Sequence, residues 1–506
     1  MIGLLGMLLP FLKTLTLGSF LGVGFYAPFL WWLSLPGIIW WITYITETST
    51  RQQAGWRGLG TFLVLNIWAY SWFTSVSPIA WLTIDSHLAL MVLHVYWLLT
   101  ALCFAIPGFF LAVGIRMLHQ TGQTWMVIPG VSVGWLLADV VGSVIFSVFS
   151  IGPGSAVNTH MSFGYIGYHL AQHLTLFHIS AWGGVYSLTV VLVALMGLIW
   201  WSGSFWYRAR WSAVVVGVVS LMFVLGAIPA SAGLFTPSKT VGAYSVLVLE
   251  TNFYGQQHDD FVAANQRIDL YKDIFQTLDI SMFDHVILPE DARFMASFGT
   301  NLFGLAQLRQ IFGTSTEALL VDSSRVTVDD NAILRGEIIQ LSDFSQIQAF
   351  DKQFLVPHGE FLPTLAAVSL RALGLGSIVA ELEATLDYRP GPSREQALVA
   401  VTTPRILFCF ESVNPRGVRK IIDTKVIERP LVVHPLSHAW FDNPSILQSQ
   451  LDTMLRVQAR WNRVFIVSAG NKAPSAVYLP DGSMLQSSTK TPLHSNSHID
   501  AYQFVF

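Results

Sequence analysis

Three short apolar segments of the sequence end in side chains that could do chemistry. Residues 405–411 (RILFCFE) are a β-prone run that delivers Cys409. Residues 284–290 (DHVILPE) end in Glu290, and Lys352 precedes another strand-like run. A thiol, a carboxylate and an ammonium at three strand ends could meet at one edge of a sheet. The alternative for the thiol is a core cysteine, because free cysteine is among the most buried residue types.

Brought together, these three groups would form a nucleophile, a base and a cation. A thiol with a pKa of about 8.5 is mostly protonated at neutral pH, so Cys409 needs a base, and a neighbouring ammonium favours its thiolate. Glu290 is the natural base and would later return the proton to the leaving group. Lys352 and the backbone N–H of Phe410 would hold the oxyanion of a tetrahedral intermediate.

The order Glu290, Lys352, Cys409 resembles the Glu-Lys-Cys triad of the nitrilase (carbon–nitrogen hydrolase) superfamily. The surrounding residues are similar to its membrane-embedded branch, the apolipoprotein N-acyltransferases. The similar segments are Leu288-Pro289-Glu290, residues 352–363 (KQFLVPHGEFLP), Gly391-Pro392, Cys409-Phe410-Glu411 and Ala439-Trp440-Phe441. The resemblance implies an αββα sandwich with the triad at the sheet edge. It also implies that Glu360 and Glu411 position the triad, the alternative being ordinary surface carboxylates.

The resemblance also implies a reaction and its partners. In that family a phospholipid acylates the cysteine as a thioester, and the acceptor is the N-terminal amine of a diacylglyceryl-modified lipoprotein. A monomer without a cofactor is expected, and the sequence has no Gly-rich phosphate loop or dinucleotide fingerprint. Residues 295–315 and 358–382 carry apolar side chains typical of arms that dip into lipid, the alternative being ordinary core helices.

Several positions depart from the pattern of the acyltransferases. Ser437-His438 stands where the family has Asn-Asp, residues 456–460 (RVQAR) lack the family's acid, and residues 471–475 (NKAPS) replace its Asn-x-Gly-x-Ser turn. The family's closing transmembrane helix is not expected in residues 489–506. These departures keep a second function open, a divergent nitrilase-type membrane amidase or acyl hydrolase, for example of a conjugative-transfer system. A non-enzymatic scaffold is disfavoured because the whole triad is present.

Composition independently indicates a membrane protein. The 506 residues are 53% hydrophobic and only 12% charged, which is too apolar for an ordinary soluble protein. Of the 28 Lys and Arg residues, only six precede residue 239. We therefore expect a polytopic helical membrane domain over residues 1–238, an α/β catalytic domain over 239–490 and a polar tail over 491–506. The net charge of -3, with no basic stripe, excludes nucleic acid as an expected partner.

Seven stretches of about 20 apolar residues predict seven spans. They lie near residues 3–24, 27–46, 58–77, 88–115, 125–149, 176–200 and 212–234. The first is interpreted as a retained helix, since it lacks the basic start and cleavage site of a signal peptide. Alternate loops carry Arg51 and Arg57, Arg116, and Arg208 and Arg210, while the intervening loops have no Lys or Arg. The positive-inside rule then places the catalytic domain on the outer, periplasmic face of a bacterial inner membrane.

Other polar residues of the first half are weaker candidates for a functional site. Zinc needs three or four ligands, and no carboxylate or cysteine accompanies the histidines, so helix packing is favoured and no metal is expected. An intramembrane acid suggests function by default but has no visible partner here. The lone cysteine of this half is interpreted as a packing residue. These candidates are His160, His169, His173, His178, Asp139 and Cys103.

Overall fold

The computed structural model has a helical half followed by a sheet sandwich. It describes residues 2–76, 86–153, 155–173, 176–205, 217, 244–254, 261–299, 301–313, 316–391, 403–422, 430–441 and 445–506. The helices of the first half are α1 (Ile2–Tyr26), α2 (Ser34–Thr46), α3 (Arg51–Ala69), α4 (Ser86–Gln120), α5 (Val127–Phe149), α6 (Gly167–Leu170) and α7 (Ser180–Phe205).

Among the residues that the structure describes in this half, five helical segments are long and apolar enough to cross a membrane. They are Leu8–Tyr26, Pro28–Thr46, Ala89–Gln120, Thr124–Phe149 and Leu176–Gly203. They coincide with five of the seven predicted spans. The third predicted span, 58–77, is instead occupied by α3, which begins earlier and is not among the five. The seventh, 212–234, lies outside the described residues apart from residue 217.

The helices pack closely because small residues lie at their contacts. A methyl group added to Gly58 of α3 would meet the carbonyl oxygen of Gly108 of α4 at 2.3 Å. Such small-residue contacts let helix backbones approach within a bilayer, where burial from water gives no driving force. At the start of α3, Thr50 caps the helix by accepting a hydrogen bond from the N–H of Gln53.

Two of the basic loops lie at the same end of the helical half. Arg51 donates to the Gln120 side chain at the end of α4 (3.1 Å). Arg116 donates to the carbonyl oxygen of Thr46 at the end of α2. Arg51 and Arg116 lie within α3 and α4, so the loops are shorter than the predicted 47–57 and 116–124. The helix ends that carry these arginines are neighbours, as an alternating topology predicts.

The described part of the second half contains twelve strands. They are β1 (Ser245–Thr251), β2 (His285–Ile287), β3 (Leu319–Val328), β4 (Asn331–Gln340), β5 (Gln346–Asp351), β6 (Arg405–Ile406), β7 (Val432–Ser437), β8 (Ile466–Asn471), β9 (Ala476–Tyr478), β10 (Met484–Gln486), β11 (His494–Ser495) and β12 (Ile499–Val505). The helices are α8 (Phe261–Thr277), α9 (Leu302–Phe312), α10 (Thr364–Ala372), α11 (Gly376–Thr385), α12 (Gly417–Ile421) and α13 (Ser445–Asn462).

The strands form two sheets that join at one point. The first has the order β11-β12-β1-β2-β3-β4-β5, and the second has the order β6-β7-β8-β9-β10. They join where Thr251 of β1 pairs with Asn471 of β8. Strands β1, β2, β3, β6, β7 and β8 run parallel to one another, and β5 shares their direction because β4 is antiparallel to both β3 and β5. The carboxyl ends of these strands therefore lie at one edge.

Alternating side chains separate the sandwich into four layers. Val246 and Val248 of β1 pack with Val433 and Val467 of the second sheet. Leu247, on the opposite face of β1, packs under α8 and α9, and the outer face of the second sheet packs under α12 and α13. This period-two alternation produces the predicted αββα sandwich beside a helical domain.

The prediction of a polar tail over residues 491–506 is wrong. Residues 491–506 contain β11 and β12, and β12 pairs along the whole of β1, from Ser245 with Val505 to Thr251 with Ile499. Ile499, Ala501 and Phe504 are buried by this pairing. Asp500 and Gln503 occupy the partly buried positions between them, so low overall hydrophobicity did not exclude sheet structure.

The sandwich rests on the end of the helical half away from the basic loops. The amide of Gln450 in α13 donates to the carbonyl oxygens of Phe25, at the end of α1, and Ala69, at the end of α3 (3.2 and 2.9 Å). Arg51 and Ala69 are opposite ends of one helix, so the two contacts lie on opposite sides of the helical half. A continuous apolar core crosses the junction and includes Leu451 of α13.

Candidate active site

Glu290 is held by the turn that follows β2. The N–H of Leu288 still bonds to β3, through the carbonyl oxygen of Val321 (3.0 Å). Asp291 then takes a positive φ of 59°, and its N–H donates to Ser323 (2.8 Å). The carboxyl group of Glu290 thereby lies at the sheet edge, buried.

Lys352 follows β5 at the same edge. Its N–H bonds to the carbonyl oxygen of Leu334 in β4 (2.9 Å). The Nζ atom donates to Glu290 Oε1 at 2.9 Å and to Glu360 Oε1 at 2.6 Å, and the side chain is only 1% exposed. A buried ammonium is therefore enclosed by two carboxylates, as pairing of buried charges requires.

Cys409 begins a short 3₁₀ turn, Cys409–Val413, directly after β6. The N–H of Leu407 is the last to bond to β7, through Val433 (2.9 Å). The thiol lies 3.9 Å from the carbonyl oxygen of Ser437, to which it can donate, and the residue is partly exposed. Cys409 therefore lies at the rim of the sheet and is not the fully buried core cysteine that was the alternative.

The electrostatics of the three groups are coupled. Burial raises the pKa of Glu290, and Lys352 opposes that rise. Burial lowers the pKa of Lys352, but Glu290 and Glu360 outweigh it and hold the pKa well above its usual value. Burial, followed by the charge of Glu290, raises the pKa of the Cys409 thiol. The resting site therefore holds a thiol, an ammonium and a carboxylate able to accept the thiol proton.

Glu360 organises the loop that carries Lys352. Its second oxygen accepts the N–H of Val356 (2.7 Å), while its first accepts from Lys352. The residue is 6% exposed, so it is not an ordinary surface carboxylate.

Glu411 connects the lysine loop to the cysteine turn. Its Oε1 accepts the N–H groups of Gln353 (2.7 Å) and Phe354 (3.3 Å), and its Oε2 accepts the N–H of Phe408 (3.1 Å). Burial raises its pKa, and these N–H donors oppose the rise. Glu411 is buried as well and fixes the separation between Lys352 and Cys409.

In each of the two segments expected to dip into lipid, 295–315 and 358–382, some apolar side chains are buried in the core and others are exposed. In 295–315, Leu308 and Phe312 enter the core while Leu302 and Phe303 are 87% and 73% exposed. In 358–382, Phe361 and Leu362 are buried, whereas the outer face of α10 exposes Leu365, Val368 and Leu373.

The second arm is attached to the helical half close to the site. The N–H of Thr364 donates to the carbonyl oxygen of Ile151, just after α5 (2.8 Å). The ring of Phe361 packs against Gly152. The exposed apolar face of α10 therefore lies next to the end of a membrane-length helix.

The other candidate residues of the first half pack within the helical half. Cys103 is buried in the helical core. Asp139 is buried within α5. The rings of His169 and His173 pack against Phe25 and Trp31 respectively.

No metal centre is found among these side chains. Over the described residues, no group of three or more His, Cys, Asp or Glu side chains could hold a metal ion. His178 lies in a 3₁₀ turn, Leu176–Ile179, before α7. His160 instead donates to the carbonyl oxygen of Phe410 in the cysteine turn (2.7 Å).

Sequence reasoning missed three residues that support the cysteine turn. His160 reaches it from the helical half, His434 of β7 contacts the carbonyl oxygen of Cys409 (3.3 Å), and Asn471 donates to Ser437 Oγ (3.1 Å). All three contacts join segments far apart in sequence, and two of them end on backbone oxygens. No local motif signals such contacts.

Comparison with known proteins gives structural neighbours at low identity. No protein-family model matches the chain, and no curated protein sequence matches it. Among solved structures, it is similar to the amidase of Nesterenkonia sp. AN1, from the nitrilase superfamily (14% identity, 52% of this chain, 90% of that chain, TM-score 0.35).

Two further solved structures cover a similar share of the chain. One is XC1258 from Xanthomonas campestris, a CN-hydrolase superfamily protein (16% identity, 52% of this chain, 91% of that chain, TM-score 0.33). The other is the glutamine-dependent NAD⁺ synthetase of Acinetobacter baumannii (12% identity, 52% of this chain, 46% of that chain, TM-score 0.35).

Proposed function

We propose that this protein is a membrane-bound acyltransferase of the nitrilase type. It moves a fatty acyl chain from a phospholipid, through a thioester on Cys409, to the N-terminal amine of a diacylglyceryl-modified lipoprotein. The observation that carries the proposal is the buried Glu290–Lys352–Glu360 cluster at the sheet edge that also presents Cys409. Perturbed, mutually coupled groups at one edge are typical of a catalytic site.

The first half-reaction follows from the charges at the site. Glu290 takes the thiol proton, and the thiolate attacks the carbonyl carbon of a phospholipid ester. Lys352 and the N–H of Phe410 stabilise the oxyanion that forms. The intermediate collapses, the C–O bond breaks, and Glu290 gives its proton to the departing lysophospholipid alkoxide, leaving the acyl thioester.

The second half-reaction uses the same groups in the opposite order. The acceptor amine attacks the thioester carbonyl, and Glu290 removes the proton from the amine nitrogen. Collapse breaks the C–S bond and forms the amide. The thiolate is reprotonated by Glu290, so the site returns to its starting protonation state.

The surroundings of the site favour a lipid donor. The exposed apolar face of α10 is attached to the end of α5, and Leu302 and Phe303 form a second apolar surface. Apolar side chains exposed beside membrane-length helices can enter the interface of a bilayer. A phospholipid ester is the acyl donor that this position offers.

The sidedness of the protein is part of the proposal. Arg51, at the start of α3, and Arg116, near the end of α4, lie at the end of the helical half opposite the sandwich. Basic loops are retained in the cytoplasm, so the sandwich is proposed to face the periplasm of a bacterial inner membrane. The protein is proposed to act there as a monomer.

Mass spectrometry of purified protein tests the first half-reaction. In a ping-pong mechanism the thioester accumulates when the amine is missing. Incubation with phospholipid vesicles alone should add one fatty-acyl mass to the peptide containing Cys409, and neutral hydroxylamine should remove it. Glu290→Gln and Lys352→Met should block the adduct, and Cys409→Ala is the control without a nucleophile.

The same incubation separates the proposal from its alternative. If water discharges the thioester, free fatty acid builds up steadily with little adduct, and the protein is a membrane amidase or acyl hydrolase instead. If the incubation yields no adduct and no free fatty acid, a phospholipid donor is refuted.

A peptide beginning with diacylglyceryl-cysteine tests the acceptor. Added to the acyl-enzyme, it should discharge the thioester and gain the acyl mass at its N-terminus. The same peptide with an acetylated N-terminus has no free amine and should leave the adduct in place. Equal discharge by both peptides would contradict transfer to the amine.

A further inference from the structure

The peptide unit between Cys409 and Phe410 sets the direction of the proposed oxyanion donor. A trans peptide is planar, so the N–H of Phe410 points opposite to the carbonyl oxygen of Cys409. A hydrogen bond that fixes the carbonyl oxygen of Cys409 therefore also fixes the direction of the N–H of Phe410. The oxygen accepts from Ser412 Oγ at 2.7 Å, within the turn, and from His434 Nε2 at 3.3 Å, from β7.

The protonation of His434 is fixed by its two partners. A carbonyl oxygen only accepts, so Nε2 carries the hydrogen. Ser468 lies 2.9 Å from Nδ1 and therefore donates its hydroxyl hydrogen to that nitrogen. The ring is fully buried, and burial lowers its pKa to about 4, so it remains neutral. The chain Ser468–His434–Cys409 also polarises the peptide unit and strengthens its N–H as a donor.

His160 holds the next peptide unit from the helical half. Its Nε2 donates to the carbonyl oxygen of Phe410 at 2.7 Å. The ring packs between the rings of Phe354, in the lysine loop, and Phe410, with centroids 4.3 and 4.8 Å away. Ser162 adds a second contact from the same loop, to the carbonyl oxygen of Val413 (2.6 Å).

We propose that His434 and His160 are positioning residues that hold the N–H of Phe410 in the direction of the reacting carbonyl, one from the sandwich and one from the helical half. The inference rests on the proposed acyl-transfer function. It deepens that function by making part of the oxyanion site depend on a loop that follows a membrane helix. Neither histidine needs to contact the substrate.

Two reactions of Cys409 separate positioning from general structure. Acylation by p-nitrophenyl butyrate passes through a tetrahedral oxyanion, whereas alkylation by iodoacetamide is a direct displacement at carbon that forms no such oxyanion. The release of p-nitrophenolate in a single turnover gives the acylation rate of the full-length protein in detergent. Loss of iodoacetamide-reactive thiol gives the alkylation rate.

The variants are matched in shape. His160→Phe keeps the packing against both rings but removes the donor, and His160→Gln keeps an amide donor. His434→Leu and His434→Gln form the corresponding pair. The Phe and Leu variants should acylate about ten- to a hundredfold more slowly, because losing an oxyanion donor outright costs about a hundred- to a thousandfold. Alkylation should stay within about twofold in all four, and the Gln variants should recover most of the acylation rate.

Each result decides between explanations. Unchanged acylation in His160→Phe and His434→Leu would overturn the positioning role. Parallel loss of acylation and alkylation, without recovery by Gln, would show a general structural role and overturn it as well. A wild-type protein that is alkylated but never acylated would refute the proposed acyl-transfer function itself.

Discussion

Replacing Glu411 by Gln tests whether this carboxylate holds the two catalytic segments together. One of its oxygens accepts the N–H groups of Gln353 and Phe354, and the other accepts the N–H of Phe408. Glutamine has a similar shape but presents one oxygen and one NH₂ group. In either orientation of the amide, at least one backbone N–H faces another donor. The site therefore loses at least one hydrogen bond and gains a repulsive contact.

The expected cost follows from the kind of hydrogen bond that is lost. A hydrogen bond to a charged group contributes about 1.5–3 kcal/mol, and a buried donor left unpaired costs about 1–3 kcal/mol. We expect Glu411→Gln to lower the free energy of unfolding by about 2–3 kcal/mol. For a domain of this size, each kcal/mol corresponds to about 2–4 °C in Tm, so the midpoint should fall by roughly 4–12 °C.

Thermal unfolding in detergent, followed by tryptophan fluorescence, measures this shift. The control is Glu383→Gln in α11, which removes an exposed carboxylate paired with Arg371 (2.8 Å). Exposed pairs contribute about 0–1 kcal/mol, so that variant should melt close to wild type. Acylation of Cys409 should slow in Glu411→Gln alone. A Glu411→Gln midpoint equal to that of the Glu383→Gln control would refute the linking role of Glu411.

Three further predictions address other parts of the molecule. Cys103→Ala should leave turnover nearly intact while Cys409→Ala abolishes it, and equal loss in both would show that the nucleophile is misassigned. Burial raises the pKa of Asp322 to about 7; between about pH 4 and 7 the folded state therefore retains a proton that the unfolded chain releases, and stability falls as pH rises. Asp322→Asn removes the titrating group, so the free energy of unfolding should depend less steeply on pH, by up to about 1.4 kcal/mol per pH unit. Tm at pH 5, 6 and 7 checks this, and a pH dependence equal to that of wild type would contradict the raised pKa of Asp322. Gly184 has a φ of 60° and contacts the ring of Trp461, so Gly184→Ala should cost about 1–3 kcal/mol in backbone strain alone, and a Tm equal to that of wild type would argue against this account.

The strand-end positions of two triad residues could be read from the sequence. An apolar run followed by a polar residue marks the carboxyl end of a strand, and this reasoning located Glu290 and Cys409. Lys352 was expected before a strand-like run, but it follows the strand β5, Gln346–Asp351. The sandwich itself was predicted from the resemblance to nitrilases, and the alternation of Val246 and Leu247 on opposite faces of β1 explains how its layers form.

The rest depended on contacts that have no local signature. His160 and His434 act on backbone oxygens, which every residue possesses, so nothing in the sequence distinguishes their partners. The strand β12 was missed because the polar composition of residues 491–506 hid its apolar residues, four of its seven residues being buried.

The pairing of β12 with β1 has a consequence for the order in which the catalytic half can fold. β1 is the first strand of the sandwich to be synthesised, yet one of its edges stays open until residues 499–505 exist. Every residue of the proposed triad precedes that point in the chain. A nascent chain that ends before residue 499 therefore carries the complete chemistry but an unpaired strand edge, which is a template for aggregation. Folding of the sandwich must wait for its final strand, while the helices that anchor it can form far earlier.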